Sequence, residues 1–164
     1  SATGPQGPAV SPQAGETHFA NIRQLTFGGE NAEAYFSRDG EWLTFQSTRD
    51  GRACDQQYVM RVDGTGLKRV SNGHGKTTCG WFLPNGEQLF FASSHAHDST
   101  CPPRPDPSKG YVWGLDRFDI YTANRDGTVA PLESRKLFPP SDGESTTNDR
   151  NSPDACRSNE YEPL

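Results

Sequence analysis

An all-β fold of short antiparallel meanders is the class this sequence predicts, and three observations predict it. No stretch of ten residues keeps apolar side chains at the helical spacing of three and four, because glycine or proline interrupts every candidate. Asp-Gly and Asn-Gly pairs at Asp39-Gly40, Asp50-Gly51, Asp63-Gly64, Asn85-Gly86 and Asp126-Gly127 separate short runs rich in aromatic and β-branched residues. The phrase DGEWLTFQSTRDG, Asp39 to Gly51, is partly rewritten as NGEQLFFASSHAH, Asn85 to His97.

The elements follow in chain order. Residues 1–17 form a Pro-, Gly- and Ser-rich arm with no apolar period, expected to be extended or disordered. The body is expected over 18–138. Its first unit, about 19–71, holds AYF (Ala34–Phe36), WLTFQS (Trp42–Ser47), QYVMRV (Gln57–Val62) and LKRVS (Leu67–Ser71) as four strands. The turn Ser37-Arg38-Asp39-Gly40 joins the first two, since Asp and Gly accept the positive φ of tight hairpins. The second unit, about 77–138, repeats the order with CGWF (Cys79–Phe82), QLFFASS (Gln88–Ser94) and DIYTAN (Asp119–Asn124). Gly40 recurs 46 residues later as Gly86, whereas Gly64 recurs 63 residues later as Gly127. The 17-residue difference is an insertion, placed at about 95–117, between the second and third strands of the second unit. Residues 139–164 form a polar, turn-rich tail.

A period of 46 residues carrying four strands is that of β-propeller blades, in which each twisted sheet buries its faces against its neighbours. The chain is therefore read as a partial propeller-like array of four-stranded antiparallel meanders with extended arms at both ends. Tyr35, Trp42, Phe45, Tyr58, Trp81, Phe90, Phe91 and Tyr121 are its facing aromatics.

Composition narrows the function. Apolar residues make up 31% of the 164 and the net charge is −5 with no basic cluster, which argues against nucleic acid as a partner. No apolar run approaches the roughly 18 residues of a membrane helix, so membrane insertion is not expected. Ser1 is expected to follow sequence that has been removed. Four cysteines, Cys54, Cys79, Cys101 and Cys156, contain no C-x-x-C pair and are read as two disulfides in an oxidising compartment.

Four spaced elements resemble the TolB-type propeller repeat: Gln24-Leu25-Thr26, Phe36-Ser37-Arg38-Asp39-Gly40, Leu43 to Gly51 (LTFQSTRDG) and Tyr58 to Gly66 (YVMRVDGTG). The resemblance covers about residues 24–133. It departs at Arg38, where the family usually has proline, and at the second unit, which loses the R-D-G turn. It implies a secreted, extracellular or periplasmic bacterial protein on a six-bladed propeller that serves as a non-catalytic platform for other proteins. Only two blades are legible here. Ser141-Asp142-Gly143-Glu144 echoes a blade turn, but no apolar run follows it. Two blades leave open faces, so the chain is read as part of a larger propeller, as a subunit completed by copies of itself in a ring or filament, or as a two-sheet sandwich.

The candidate sites follow from these alternatives. Self-assembly would use Phe19, Ile22, Leu25 and Phe27 as a strand donated to the next copy; the alternative is the outer strand of its own blade. The insertion offers Arg104, Tyr111 and Trp113, the residue types of binding hot spots, to an extracellular or envelope protein or a glycan. On a propeller rim, Cys54 is expected to pair with Cys79, leaving Cys101 for Cys156. His95 and His97 could face one metal ion from alternate strand positions, or be plain loop residues. No cofactor is expected, apart from a structural cation at an Asp-Gly loop. The absence of G-x-S-x-G, H-E-x-x-H and P-loop motifs argues against catalysis, with a metal-dependent propeller hydrolase or lyase fragment as the enzymatic alternative.

Overall fold

A computed structural model describes residues 7–104, 106, 108, 110 and 117–128. Seven strands follow in order: β1 (Asn31–Phe36), β2 (Trp42–Ser47), β3 (Gln56–Arg61), β4 (Lys68–Arg69), β5 (Thr77–Phe82), β6 (Gln88–Ser93) and β7 (Asp119–Asn124). They form two antiparallel meanders, β1-β2-β3-β4 and β5-β6-β7. The first is the four-stranded sheet expected. The second has three strands among the described residues, and the stretch where a fourth was expected lies outside them.

The hairpins close as the sequence requires, with one change of mechanism. At Ser37–Gly40 only Gly40 takes positive φ, and its amide donates to the Ser37 carbonyl at 2.9 Å. Asp39 contributes its carboxylate instead, accepting from the Glu41 amide and the Ser37 hydroxyl. The same acceptor role recurs at Asp63 toward Thr65, Asn85 toward Glu87 and Asp126 toward Thr128. Four of the pairs are thus side-chain-capped turns, whereas at Asp50-Gly51 both residues take positive φ and Asp50 accepts from Tyr58 instead.

Strand alternation divides the first sheet into two apolar faces. Leu43, Phe45, Tyr58 and Met60 form one cluster, covered by Leu25 and Val62. Val59 and Val70 point the other way and meet Phe82 and Leu89 of the second sheet, flanked by Trp42 and Ala123. This second cluster is the inter-blade core. Gly80 lets the two sheets approach: a Cβ there would lie 2.1 Å from the buried Gln57 amide nitrogen. Gln57 is held in turn by its bond to Thr44 Oγ1. At the far end Trp42 lies between Arg61 and Arg125, each guanidinium 4.7 Å from the ring centroid, so a turn of the second blade grips a strand of the first.

The arm differs from expectation. Ala9 forms an antiparallel bridge with Arg23, and the Val10 amide donates to the Ile22 carbonyl at 2.9 Å. Gly7 is buried because the Gln24 carbonyl occupies the space a side chain would need. Residues 7–27 therefore fold back on themselves and lay Leu25 on the first blade.

Candidate functional site

Three connections of the two blades meet at one rim. They are the β2–β3 loop, the link between the blades at residues 72–76, and the segment that follows β6. The link is fixed by main-chain contacts that need glycine. Gly75 has φ +59, and a Cβ there would fall within 2.8 Å of Ser94 Oγ, the Asp98 carbonyl and the His95 nitrogen. Its amide donates to the Ser99 carbonyl at 2.7 Å, and its carbonyl accepts from Gln56 Nε2 at 2.8 Å. The segment after β6 is then tied across the rim by a disulfide between Cys54 and Cys101, with Cα atoms 5.8 Å apart. Arg104 continues the crossing with an exposed 3.4 Å ion pair to Glu30, at the start of the first blade.

This overturns the expected pairing. Cys54 bonds Cys101, not Cys79, because the insertion doubles back over the first blade and brings Cys101 to the β2–β3 loop. Cys79 sits inside β5, at a positive φ of 55° beside a register shift between Thr78 and Trp81, and is itself disulfide-bonded. Since Cys101 is already paired, it is not available to Cys156, which lies outside the described residues, as do Tyr111 and Trp113 of the insertion.

The histidines do not converge on one ion. Both lie beyond the end of β6 in a turn, so the alternation of a strand does not apply. His97 Nε2 pairs with Asp119 at 3.0 Å, while His95 Nδ1 meets the buried Ser93 hydroxyl at 2.7 Å and its ring lies on Tyr121. Burial, then the neighbouring His74, holds the His95 imidazole below its usual range, with Asp119 opposing. Tyr121 is pushed up to about 12 by burial and by Asp119. Among the described residues no three His, Cys, Asp or Glu side chains are placed to hold a metal ion. The cluster fastens the insertion's root to β7.

The two outer sheet faces differ in exposure. On the second blade, register puts Trp81, Phe90, Ala92 and Ile120 on the face opposite the inter-blade core. Trp81 is 47% and Ile120 38% exposed, although Trp81 also touches Tyr35 at 4.2 Å between ring centroids. On the first blade, Leu25, Val62 and the Arg49 guanidinium, 5.1 Å from the Phe45 ring, lie over Leu43, Phe45, Tyr58 and Met60, which are buried. Beside them lies a pocket of about 250 Å³ lined by Gly7, Leu25, Phe27, Arg49, Asp63, Gly64 and Leu67. Of the four residues read as a donated strand, Leu25 packs on the blade and Phe19 and Phe27 are exposed. Ile22 accepts the bond from Val10. Sequence reading expects open faces on a two-bladed array but assigns Trp81 and Phe90 to the core, because alternation alone does not say which face has no neighbour.

No family model matches the chain. Over 56 residues it is 47% identical to the Tol-Pal system protein TolB of Geobacter sulfurreducens, covering 34% of this chain and 12% of that protein. It is 35% identical over 78 residues to an uncharacterised protein of Agrobacterium fabrum, covering 44% of this chain and 25% of that one. A solved structure described as a TolB of Agrobacterium tumefaciens aligns over 64% of this chain and 34% of its own, at 25% identity and a TM-score of 0.46. The chain thus spans a quarter or less of the length of these curated relatives.

Proposed function

We propose, from the TolB-like relationship that the two blades carry over part of their length, that the chain is a non-catalytic repeat module of an oxidising compartment that acts through protein contacts. The observation that carries this reading is the open face of the second blade, where Trp81, Phe90 and Ile120 stand opposite the inter-blade core. Propeller blades bury both faces, and a solvent-facing aromatic sheet at the end of an array calls for another blade. In this reading the occupant is a further TolB-like blade, supplied by a second copy of the chain. The Cys54–Cys101 bridge supports export, because such bonds persist outside reducing compartments. No helix among the described residues is long and apolar enough to cross a membrane.

A second reading is favoured by the length of the relatives: the next blade belongs to the same, longer polypeptide. Both readings place the contact on the same face. Replacing Trp81 and Ile120 by lysine tests it. The variant is expected to lose association while keeping the Val59, Val70, Phe82 and Leu89 core, read as a still cooperative unfolding of the dissociated chain, lowered only by the lost Trp81–Tyr35 contact. Association that survives both lysines would contradict the assignment of this face.

A further inference from the structure

We infer that the outer edge of the first blade holds an oxyanion-binding site formed by Arg52 and Arg69 across the Gly73 turn. Arg52 comes from the β2–β3 loop and Arg69 from β4, and the inter-blade link brings Gly73 between them. A Cβ at Gly73 would lie 2.8 Å from Arg69 Nη1 and 3.1 Å from Arg52 Nη1, so both guanidinium groups border the space that glycine leaves. Gly73 has φ +90, a conformation that keeps the position open to glycine.

Two like charges at this separation repel, and the chain as a whole is acidic, at −5. Yet neither arginine is in an ion pair among the described residues, where Arg61, Arg104 and Arg125 all are. Arg52 Nη1 donates to the Gly73 carbonyl at 3.2 Å and the guanidinium lies beside the Tyr58 hydroxyl, while its solvent-shielded Nε–H faces no acceptor among the described residues. The acid on this edge, Asp50, accepts from the Tyr58 hydroxyl at 2.9 Å. Arg49 adds a third guanidinium 5.4 Å from the Tyr58 ring, and the exposed His74 follows Gly73 in the turn. Arg49 and Arg52 thus both lie against Tyr58, whose hydroxyl donates to Asp50.

Guanidinium forks match ligands that offer two or more oxygens, so the ligand class is phosphate, sulfate or a carboxylate. Such an anion would relieve the Arg52–Arg69 repulsion and accept from the outward Nη groups. It would also fix the inter-blade link, because Gly73 is part of it. The site is separate from the open second face, so either proposal can fail without the other.

The test follows the arginine Nε–H signals of the full chain by NMR during titration with inorganic phosphate and, separately, with N-acetylglutamate, chloride compensating ionic strength. Saturable shifts of Arg52 and Arg69 are expected with at least one of the two. A response to phosphate alone assigns a phosphoryl ligand, and a response to N-acetylglutamate assigns a carboxylate one. Arg52→Gln with Arg69→Gln should weaken binding at least tenfold, and Arg104→Gln should leave it unchanged. Arg69→Gln alone covers the case in which the double variant does not fold, since Arg69 donates no side-chain hydrogen bond among the described residues. Unsaturable shifts, an equal response to chloride, or unchanged affinity in Arg69→Gln would overturn the site.

Discussion

Gly80 shows how closely single residues set the packing of the blades. Its missing side chain is where Gln57 rests, and Gln57 is fully buried with its Nε2 on Thr44 at 2.6 Å. Gly80→Ala is expected to cost about 2 kcal/mol, the scale of overpacking a filled core. A cycle with Gln57→Ala, read by urea unfolding, should recover at least about 1 kcal/mol of that loss as coupling; independent effects would show that the sheets do not meet there. The turn acids give a pH dependence. Asp39, Asp63 and Asp126 are held below the ordinary carboxylate range by hydrogen bonds from the Ser37, Thr65 and Thr128 hydroxyls, with backbone amides adding to the effect, and Asp98 by the Thr100 amide and then its hydroxyl. A depressed folded pKa stabilises the fold above the unfolded value, near 4, and the gain is lost as pH falls through the folded value. Asp55 works the other way, because burial raises it and its ionised form opposes folding as pH rises. Unfolding midpoints should therefore fall as pH drops below about 4. Asp39→Asn, Asp63→Asn and Asp126→Asn together should flatten that slope while keeping the turns, since an amide oxygen still accepts.

At the scale of elements, β2 and β7 lie where their sequences put them, because each is a short run with aromatic and β-branched residues bounded by turn residues. β4 is shorter than LKRVS suggested. Leu67 is exposed, while Ser71 leaves the sheet to accept from the Gln57 backbone amide and donate to the Gln56 side-chain Oε1, which begins the link. The folded-back arm was not legible, since its bridge joins Pro- and Gly-rich backbone to Ile22–Gln24 with no side-chain period to announce it. The path of the insertion was equally hidden: spacing located it between β6 and β7, but nothing local states that it recrosses the first blade. Its disulfide closes a separation of 47 residues and is expected to contribute about 4 kcal/mol by the chain-entropy estimate. Cys101→Ser should lower the unfolding midpoint accordingly. An unreduced peptide map should join the Cys54 and Cys101 peptides, and a Cys54–Cys79 peptide would contradict the bridged rim.

Across the whole molecule, the two meanders share one buried face and leave others outward. The repeat period and the turn residues made the blades readable in the sequence. The site was less so, because the same aromatic alternation describes a buried face and an open one; only the packing of β5 on the first sheet separates Phe82 and Leu89 from Trp81 and Phe90. Trp42, gripped by Arg61 and Arg125, locks the pair. Trp42→Ala is expected to cost about 3 kcal/mol, near the lower end for a large aromatic in a core, and to loosen the blades before either sheet melts. Hydrogen exchange that rises first at Phe82 and Leu89 would record this. The central claim is that the second blade's open face is completed by a blade of a second copy of the chain. Light scattering on the eluting 164-residue chain tests it most directly: the account predicts a mass that is a multiple of 18.0 kDa, falling to one chain with Trp81→Lys and Ile120→Lys. A monodisperse 18.0 kDa species that unfolds in one cooperative step would contradict it.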